Sequence, residues 1–204
     1  MKIFITGTDT NVGKTLISSW IALHTGFSYF KPIQTGTRNG SDSFEVQKLS
    51  DTRIYPDSYS YKEPLSPHLA AKLENDIIDI EKIVLPPSRN LIVEGAGGVL
   101  VPINDTYLMV DLIEKLGSPV ILVARTTLGT INHTLLSLEV LRSRNIPVLG
   151  VIMNGEQNPQ NNDSIELYGR TSVLAEFPKL ESVSMNMLKD ITLSQKLKQI
   201  LKVE

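Results

Sequence analysis

A glycine-bounded loop that ends in Gly-Lys-Thr has the residue types and spacing most able to do chemistry in this chain. It runs from Gly7 to Thr15 with the sequence GTDTNVGKT. Backbone N–H groups of such a loop, together with the start of the following helix, surround phosphate oxygens. In this pattern Lys14 reaches the terminal phosphates and the Thr15 hydroxyl binds Mg²⁺. The loop therefore predicts a nucleotide site, and the alternative is an ordinary strand–turn–helix corner.

The loop departs from the strict GxxxxGK[ST] pattern in one respect. Five residues rather than four separate Gly7 from Gly13, and Thr8 stands where the pattern has glycine. Its flanks support the nucleotide interpretation, because residues 2–6 are an apolar strand-like run and residues 14–24 have a helical apolar pattern.

Three further charged residues lie at the ends of strand-like runs or in the segment that follows one. Lys31 follows residues 29–30, Asp42 precedes a helix-like segment, and Glu94 ends an apolar run and is followed by Gly-Ala-Gly-Gly. Because carboxyl ends of parallel strands share one edge of a sheet, these groups are candidates for one site. Glu94 is favoured as a Mg²⁺ ligand over a structural ion pair. Lys31 is equally well explained as a solvated edge residue, and Asp42 as a helix N-cap.

Two later segments also reach this edge. Residues 124–132 lead into a long helix, and the N–H groups at its start could bind a substrate carboxylate. Asn154 has an amide that can pair with an adenine edge, although an asparagine before Gly155 is as often a turn residue.

The elements that must position these residues alternate along the chain. Short runs rich in β-branched residues predict strands at 3–5, 29–33, 91–93, 120–123, 148–152 and, more weakly, 172–174. Helical patterns occur at 14–24, 43–49, 67–75, 110–116, 132–143 and 188–201, and residues 56–67 and 154–163 resemble surface loops. This alternation predicts one α/β domain, residues 1–204, in which helices flank a mainly parallel central sheet as three layers.

Composition narrows the function classes. The chain has 204 residues and no cysteine, which excludes disulfides, thiolate zinc sites and cysteine-ligated iron–sulfur clusters. Twenty basic residues against 22 acidic ones give no electrostatic signature of nucleic-acid binding, so small-molecule partners are favoured. No apolar run approaches membrane-spanning length, and a strand that starts at Lys2 leaves no room for a signal peptide. We expect a cytoplasmic protein with no nucleic-acid or membrane partner.

Taken together, the motifs resemble the dethiobiotin synthetase family over most of the chain. They are GTDTNVGKT (7–15), FKPIQTG (30–36), SD (41–42), PLSPHLAA (64–71), VEGAGGVLVPI (93–103), PVILVARTTLGTINH (119–133), GVIMN (150–154) and EFPKL (176–180). The resemblance implies a P-loop NTPase-like fold and the use of ATP and Mg²⁺. It also implies conversion of 7,8-diaminononanoate and carbon dioxide into dethiobiotin, by a homodimer with its active site near the subunit interface.

The resemblance also assigns roles to residues of this chain. It implies catalytic roles for Lys14 and Lys31, and metal ligation by Thr15, Asp42 and Glu94. The implied nucleotide contacts are Thr10, Asn11, Val12, Gly13, Lys14, Thr15, Leu16, Asp42, Glu94, Gly95, Ala96, Gly97, Asn154 and Pro178. The implied substrate contacts are Thr10, Thr35, Gly97, Leu128, Asn132 and Tyr168, where Tyr168 is the candidate for a tyrosine supplied by the partner subunit.

The chain departs from the family pattern at two places. Asn11 stands where many members have glutamate, and the segment after Pro178, which covers the base in the family, is short. Two other readings compete with the family. A switch ATPase of the same superclass often has an extra lysine early in the loop, which is absent from residues 8–11. A small-molecule kinase would need arginines in a closing lid, and the seven arginines form no such cluster.

Overall fold

A seven-stranded parallel sheet forms the centre of the molecule. The computed structural model describes residues 1–203, apart from the side chain of Asn39. The strands of this sheet are β1 (Lys2–Gly7), β2 (Ser28–Phe30), β4 (Ile54–Tyr55), β6 (Leu91–Gly98), β7 (Val120–Arg125), β8 (Val148–Gly155) and β9 (Val173–Pro178). They lie in the order β4-β2-β6-β1-β7-β8-β9, and every neighbouring pair is parallel. Two short strands, β3 (Ile33–Gln34) and β5 (Tyr59–Ser60), pair with each other outside it.

Helices cover both faces of the sheet. They are α1 (Lys14–Thr25), α2 (Asp42–Ser50), α3 (Pro67–Leu73), α4 (Met109–Leu116), α5 (Thr130–Ser143), α6 (Pro159–Gly169), α7 (Met185–Asp190) and α8 (Gln195–Leu201). Short 3-10 turns occupy Thr37–Asn39 and Ile80–Lys82.

The period-two alternation of β1 divides the core into two layers. Ile3 and Ile5 pack with Trp20 of α1 on one face, whereas Phe4 packs with Met109 of α4 on the other. Parallel strands buried on both faces need apolar residues at consecutive positions, which is the composition of this strand. The predicted three-layer architecture with a mainly parallel sheet is confirmed.

The predicted C-terminal helix at 188–201 is wrong, because the structure has two helices, α7 and α8, with a break between them. The Trp20 indole N–H donates to the Ile191 carbonyl at 2.6 Å, and the Ser194 hydroxyl caps α8 by accepting from the Leu197 N–H at 3.1 Å. An amphipathic pattern runs through both helices, so it does not reveal a serine that starts a new one.

The predicted loop at 154–163 is also partly wrong, since α6 begins inside it. Pro159 occupies the first turn of this helix, where a missing N–H costs nothing, and the Asn158 side chain accepts from the Asn161 N–H at 3.1 Å. The Asn- and Pro-rich composition that suggested a loop belongs to a helix start. Within residues 1–203, no helix has both the length and the apolar composition needed to cross a membrane.

Candidate active site

The phosphate-type loop joins β1 to α1 and depends on two glycines. A Cβ on Gly7 would lie 2.6 Å from Val12 Cγ2, and one on Gly13, which has φ 95°, would lie 2.1 Å from Asn154 Nδ2. The extra residue of this loop is accommodated at Asn11, whose φ of 59° lies in the left-handed region that asparagine tolerates. Neither glycine has room for a side chain, so the backbone turns tightly here, and a tight turn of successive N–H groups suits an anionic ligand.

Lys14 begins α1 and lies almost buried against this loop. Its Nζ donates to the Asp9 carbonyl oxygen at 3.1 Å. Burial lowers the pKa of Lys14 to about 8, although neighbouring carboxylates oppose the shift. Asp9 is held in turn, because its carboxylate accepts from the Thr10 N–H at 2.7 Å and pairs with Arg125 at 3.3 Å. The loop and the lysine are therefore fixed before any anion binds.

Lys31 lies between two carboxylates at the carboxyl edge of the sheet. Its Nζ is 3.0 Å from Glu94 Oε1 and 2.5 Å from Asp42 Oδ2. Burial alone would lower the pKa of Lys31, but the two carboxylates outweigh it and raise that pKa above its ordinary value. The interpretation of Lys31 as a solvated edge residue is wrong, since only 3% of the residue is exposed.

Glu94 is fully buried and takes part in several charge-assisted hydrogen bonds. Besides Lys31, its Oε1 accepts from the Thr15 hydroxyl at 2.9 Å, and its Oε2 accepts from the Ser18 hydroxyl at 2.7 Å. A buried carboxylate of this kind needs such partners, because an unpaired charge in the interior is very costly. The carboxylate is thus fixed beside Lys14 and Thr15, and the ion pair with Lys31 is part of the arrangement.

Asp42 is the first residue of α2 and does not cap it, so the N-cap interpretation is wrong. Ser41 is the cap, and its hydroxyl accepts from the Phe44 N–H at 3.2 Å. The Asp42 carboxylate is therefore available to Lys31. Burial would raise the pKa of Asp42, but Lys31, with smaller contributions from Thr15 and Lys14, outweighs burial and lowers that pKa below its ordinary value.

The residues at this point fit a hard divalent cation. The Thr15 hydroxyl and the Asp42 and Glu94 carboxylates converge on the same few ångströms, and all three offer oxygen. Mg²⁺ prefers one or two carboxylates together with phosphate oxygens and water, rather than an all-protein cage. Accordingly, no group of three or more His, Cys, Asp or Glu side chains suited to a metal occurs in the described part of the chain.

A cavity of about 660 Å³ opens above these groups. Many of the residues predicted to bind nucleotide, metal or substrate line it: Thr10, Asn11, Gly13, Lys14, Thr15, Leu16, Lys31, Thr35, Asp42, Glu94, Ala96 and Gly97. Its volume is in the range of small-molecule and cofactor sites. One concave site thus contains the loop, the ion-paired cluster and the glycine-rich end of β6.

Four predicted nucleotide contacts lie beside the cavity rather than on its wall. Val12 is buried, and its carbonyl oxygen accepts from Asn154 Nδ2 at 2.9 Å. Gly95 packs on Phe4, where a Cβ would lie 2.9 Å from the ring. Pro178 ends β9 next to Gly155 of β8. The interpretation of Asn154 as only a turn residue is wrong, because its amide fixes the phosphate-type loop.

Three predicted substrate contacts lie on a different surface. Leu128 is fully exposed, Asn132 is exposed near the start of α5, and 68% of Tyr168 is exposed beside Arg142 and Arg170. None of them lines the cavity that contains Thr35 and Lys31. Within the described residues of one subunit, these three do not join the rest of the site.

Several residues that shape the site were not singled out from the sequence. Gln34 and the segment 64–67 line the cavity, and the Ser18 hydroxyl donates a hydrogen bond to Glu94 Oε2. The segment 64–67 belongs to one of the family-like motifs, and this was the available signal. Gln34 likewise lies in the quoted motif FKPIQTG (30–36), which assigned it no role, whereas Ser18 is an ordinary polar residue in an apolar helix and nothing in its spacing indicates a function.

Comparisons with known proteins decide the family. A protein of Lawsonia intracellularis named ATP-dependent dethiobiotin synthetase BioD is 56% identical over 200 residues, covering 98% of each chain. This chain belongs to the dethiobiotin synthetase family. A second relative with the same name, from Paramagnetospirillum magneticum, is 51% identical over 89% of this chain and 90% of its own. A family model described as an AAA domain matches residues 1–186. The resemblance inferred from the motifs is confirmed, and the chain is an enzyme of this family.

Solved structures agree on the fold. A plasmid partition protein from Borrelia burgdorferi bound to AMPPNP aligns with a TM-score of 0.56 at 11% identity, over 98% of this chain and 95% of that one. At this identity the likeness concerns the fold alone, and it confirms a P-loop NTPase-like architecture. The fold alone therefore does not separate this chain from a switch ATPase. The sequence relatives do, because they are dethiobiotin synthetases.

The Ser18 hydroxyl gives a stability prediction. Ser18→Ala leaves Glu94 Oε2 buried without this donor, so we expect the free energy of unfolding to fall by about 1–3 kcal/mol. Urea unfolding measures this change. Ser19→Ala is the matched control, because the Ser19 hydroxyl bonds to the Thr15 carbonyl within the helix and a change of less than about 0.5 kcal/mol is expected. Equal effects of the two substitutions would contradict the role given to Ser18.

Proposed function

We propose that this chain catalyses the ATP- and Mg²⁺-dependent closure of 7,8-diaminononanoate with carbon dioxide to the cyclic urea dethiobiotin, with release of ADP and phosphate. The observation that carries this proposal is the buried Lys31, held between Glu94 and Asp42 inside the cavity that the loop opens into. The names of the relatives supply the reaction class. The cluster supplies a place where negative charge can be neutralised.

The proposed reaction has three steps. One amine of the diamine attacks carbon dioxide to form a carbamate and loses a proton. A carbamate oxygen then attacks the γ-phosphorus of ATP, and the bond to the ADP oxygen breaks. Finally the second amine attacks the carbonyl carbon of the mixed anhydride, the bond from that carbon to the phosphate oxygen breaks, and the amine gives up a proton, which the leaving phosphate can take as the ring closes. These steps bring a carbamate, a transferring phosphoryl group and ADP into a small volume, so charge neutralisation and positioning carry most of the catalysis.

The residues divide this work according to their positions. Lys14 and the backbone N–H groups of the loop would hold the β- and γ-phosphates. Lys31, paired with Glu94 and Asp42, would face the carbamate oxygen and the phosphoryl group as charge develops on them. Thr35, which lines the same cavity, would orient the amines and the carbamate. Mg²⁺, held by Thr15, Asp42 and Glu94, would neutralise charge on the phosphates.

A second copy of the chain completes this proposal. Leu128, Asn132 and Tyr168 lie outside the cavity of their own subunit, so a role in binding the distant substrate carboxylate requires them to come from a partner. Leu100 and Leu136, two large apolar side chains that are exposed, line a second cavity of about 430 Å³. Contiguous exposed apolar surface can mark an interaction site, so this face is the candidate for the interface.

Subunit complementation tests the shared site. Lys31→Ala and Tyr168→Ala are each expected to be weakly active alone. When the two are mixed after dissociation, one site of each mixed dimer contains both intact residues, and activity is expected to return. A chain that sediments as a monomer, or a mixture no more active than its components, would rule out the shared site.

The reaction itself is tested with the purified protein, ATP, Mg²⁺, bicarbonate and 7,8-diaminononanoate. We expect dethiobiotin by mass spectrometry and one phosphate per product, and both should require the diamine and bicarbonate. ATP hydrolysis that ignores the diamine but responds to a protein or nucleic acid would favour the switch ATPase. A stable phosphorylated product would favour the kinase.

Glu94→Gln tests the metal site separately from turnover. The amide keeps the shape of the side chain but removes the charge. The factor by which Mg²⁺ increases the affinity for a fluorescent ATP analogue should therefore be smaller than in the unchanged protein, by at least about tenfold. The measurement is the analogue's dissociation constant at a series of Mg²⁺ concentrations. Glu166→Gln, at an exposed ion pair with Lys196, is the control. An unchanged Mg²⁺ dependence in Glu94→Gln would return Glu94 to a purely structural role.

A further inference from the structure

Gln34 is a buried carboxamide at the wall of the cavity, and neither the family motifs nor the charge pattern gives it a role. It ends β3, only 4% of it is exposed, and it lines the cavity next to Thr35. Its Oε1 accepts from the Asp42 N–H at 3.0 Å, and its Nε2 donates to the Thr35 carbonyl oxygen at 2.7 Å. A backbone N–H can only donate and a carbonyl can only accept, so the orientation of this amide is unambiguous.

The two hydrogen bonds of Gln34 close the loop 35–41 at both ends. This loop contains Gly36 and Gly40 in positive-φ conformations, at 82° and 116°, and it carries the chain from Thr35 to Asp42. Its first half is anchored to the following strand region, where Gly36 N–H donates to the Glu63 carbonyl and Thr37 N–H to the Tyr61 carbonyl. Its second half is exposed at Gly40. Gln34 therefore anchors the end of the loop at which α2 begins.

The position of the Asp42 carboxylate depends on this anchor. Ser41 caps α2 internally through the Phe44 N–H, which defines the helix start but does not attach it to the site. The Asp42 N–H is one of the N–H groups that a helix start leaves without an intrahelical partner, and Gln34 satisfies it from the cavity side. The same residue's carboxylate meets Lys31 at 2.5 Å. One side chain thus fixes the backbone of the residue whose carboxylate completes the charged cluster.

We propose that Gln34 is a positioning residue that holds Asp42 at the metal side of the cluster and Thr35 at the substrate side, and so sets the Mg²⁺ dependence of nucleotide binding. This role of Gln34 rests on the proposed function only in taking Asp42 as a Mg²⁺ ligand. Gln34 acts through the backbone of its two neighbours and needs no contact with the nucleotide. A side chain of similar length without hydrogen-bonding groups should therefore fill the space but lose the effect.

Gln34→Met is the test, with nucleotide binding rather than turnover as the readout. The half-saturating Mg²⁺ concentration for binding of a fluorescent ATP analogue is expected to rise about fivefold or more, since a buried hydrogen bond at Asp42 is lost. Thr37→Val is the matched control, because it removes a hydrogen bond to Tyr61 from the same loop without touching Asp42. A half-saturating concentration within twofold of the unchanged protein would overturn the proposal. Gln34→Asn, which keeps the amide but shortens its reach, is expected to act in the same direction and serves if Gln34→Met does not fold.

A double-mutant cycle separates positioning from general loosening of the loop. Asp42→Asn should raise the half-saturating Mg²⁺ concentration in the unchanged protein but add little in the Gln34→Met background, because Asp42 is already displaced there. Fully additive effects would mean that Gln34 acts elsewhere and would overturn the proposal. If the unchanged protein binds the analogue with no Mg²⁺ dependence, the metal part of the proposed function fails, which is a different result from an insensitive Gln34→Met.

Discussion

Lys31→Ala is expected to lower turnover at least about a hundredfold. Lys31 places a positive charge between Glu94 and Asp42, at the point where the proposed carbamate and phosphoryl group would carry negative charge. Loss of a single preorganised donor at such a point typically costs a factor of about 10²–10³ in turnover. The measurement is phosphate release that depends on the diamine, at saturating ATP and Mg²⁺.

The same substitution removes a structural partner, so stability must be measured beside activity. Without Lys31, the fully buried Glu94 loses its cation and lies near Asp42, which is one-third exposed. We expect a lower unfolding temperature that Mg²⁺ partly restores, because the metal can take over the role of the missing charge. Lys115→Ala is the control for loss of a lysine that pairs with a carboxylate, since Lys115 pairs with Glu81 away from the site. A folded, fully active Lys31→Ala would remove Lys31 from the mechanism.

Lys14→Ala is expected to lower turnover by a similar factor, of at least about a hundredfold, and also to weaken nucleotide binding. Lys14 Nζ is held by the Asp9 carbonyl within the loop, so it is placed for the phosphates before they arrive. Equilibrium binding of the fluorescent ATP analogue separates the two effects. Lys31→Ala should retain nucleotide affinity better than Lys14→Ala, because Lys31 bonds to Glu94 and Asp42, whereas Lys14 Nζ bonds to the loop itself. The reverse order would mean that the two roles have been exchanged.

The pH dependence of binding distinguishes the charge of Lys14 from its bulk. Burial lowers the pKa of Lys14 to about 8 in the free protein, and phosphate oxygens would raise that pKa. The bound state then holds the proton more tightly, so affinity should fall as pH rises above about 8, and binding should take up a proton there. Calorimetry in buffers of different ionisation enthalpy measures this uptake. In Lys14→Arg the guanidinium stays charged, and the pH dependence should disappear even if affinity changes.

The fold and two of the three members of the charged cluster, Lys31 and Glu94, follow from strand endings alone. Lys31 and Glu94 each come at the carboxyl end of an apolar run, and parallel strands bring such ends to one edge. Asp42 could not be placed in this way, because its position depends on the loop 35–41 and on which of two good capping residues starts α2. Ser41 and Asp42 are adjacent, and both residue types cap helices well. The structure resolves the choice in favour of Ser41.

Other parts of the site depend on contacts that no local pattern contains. Ser18 bonds to Glu94, which is 76 positions away in the chain, and Gln34 bonds to Asp42, which is 8 positions away. Leu128, Asn132 and Tyr168 were expected as substrate contacts, Tyr168 from the partner subunit, and within one subunit none of them lines the cavity. Periodicity predicts which face of an element is buried, but not which neighbour meets a polar atom on that face. The break between α7 and α8 was not predicted for the same reason.

The hydrogen bond from Asn154 to the Val12 carbonyl links the phosphate-type loop to a strand 142 residues later in the chain. A nascent chain that has emerged only as far as β7 already contains Lys14, Thr15, Lys31, Asp42 and Glu94. It lacks β8, however, and with it the amide that packs against Gly13 and fixes the loop. The nucleotide site therefore takes its final shape only after most of the sheet has assembled. A chain that ends before β8 is therefore expected to bind nucleotide more weakly than one that contains it, because its loop lacks this hydrogen bond.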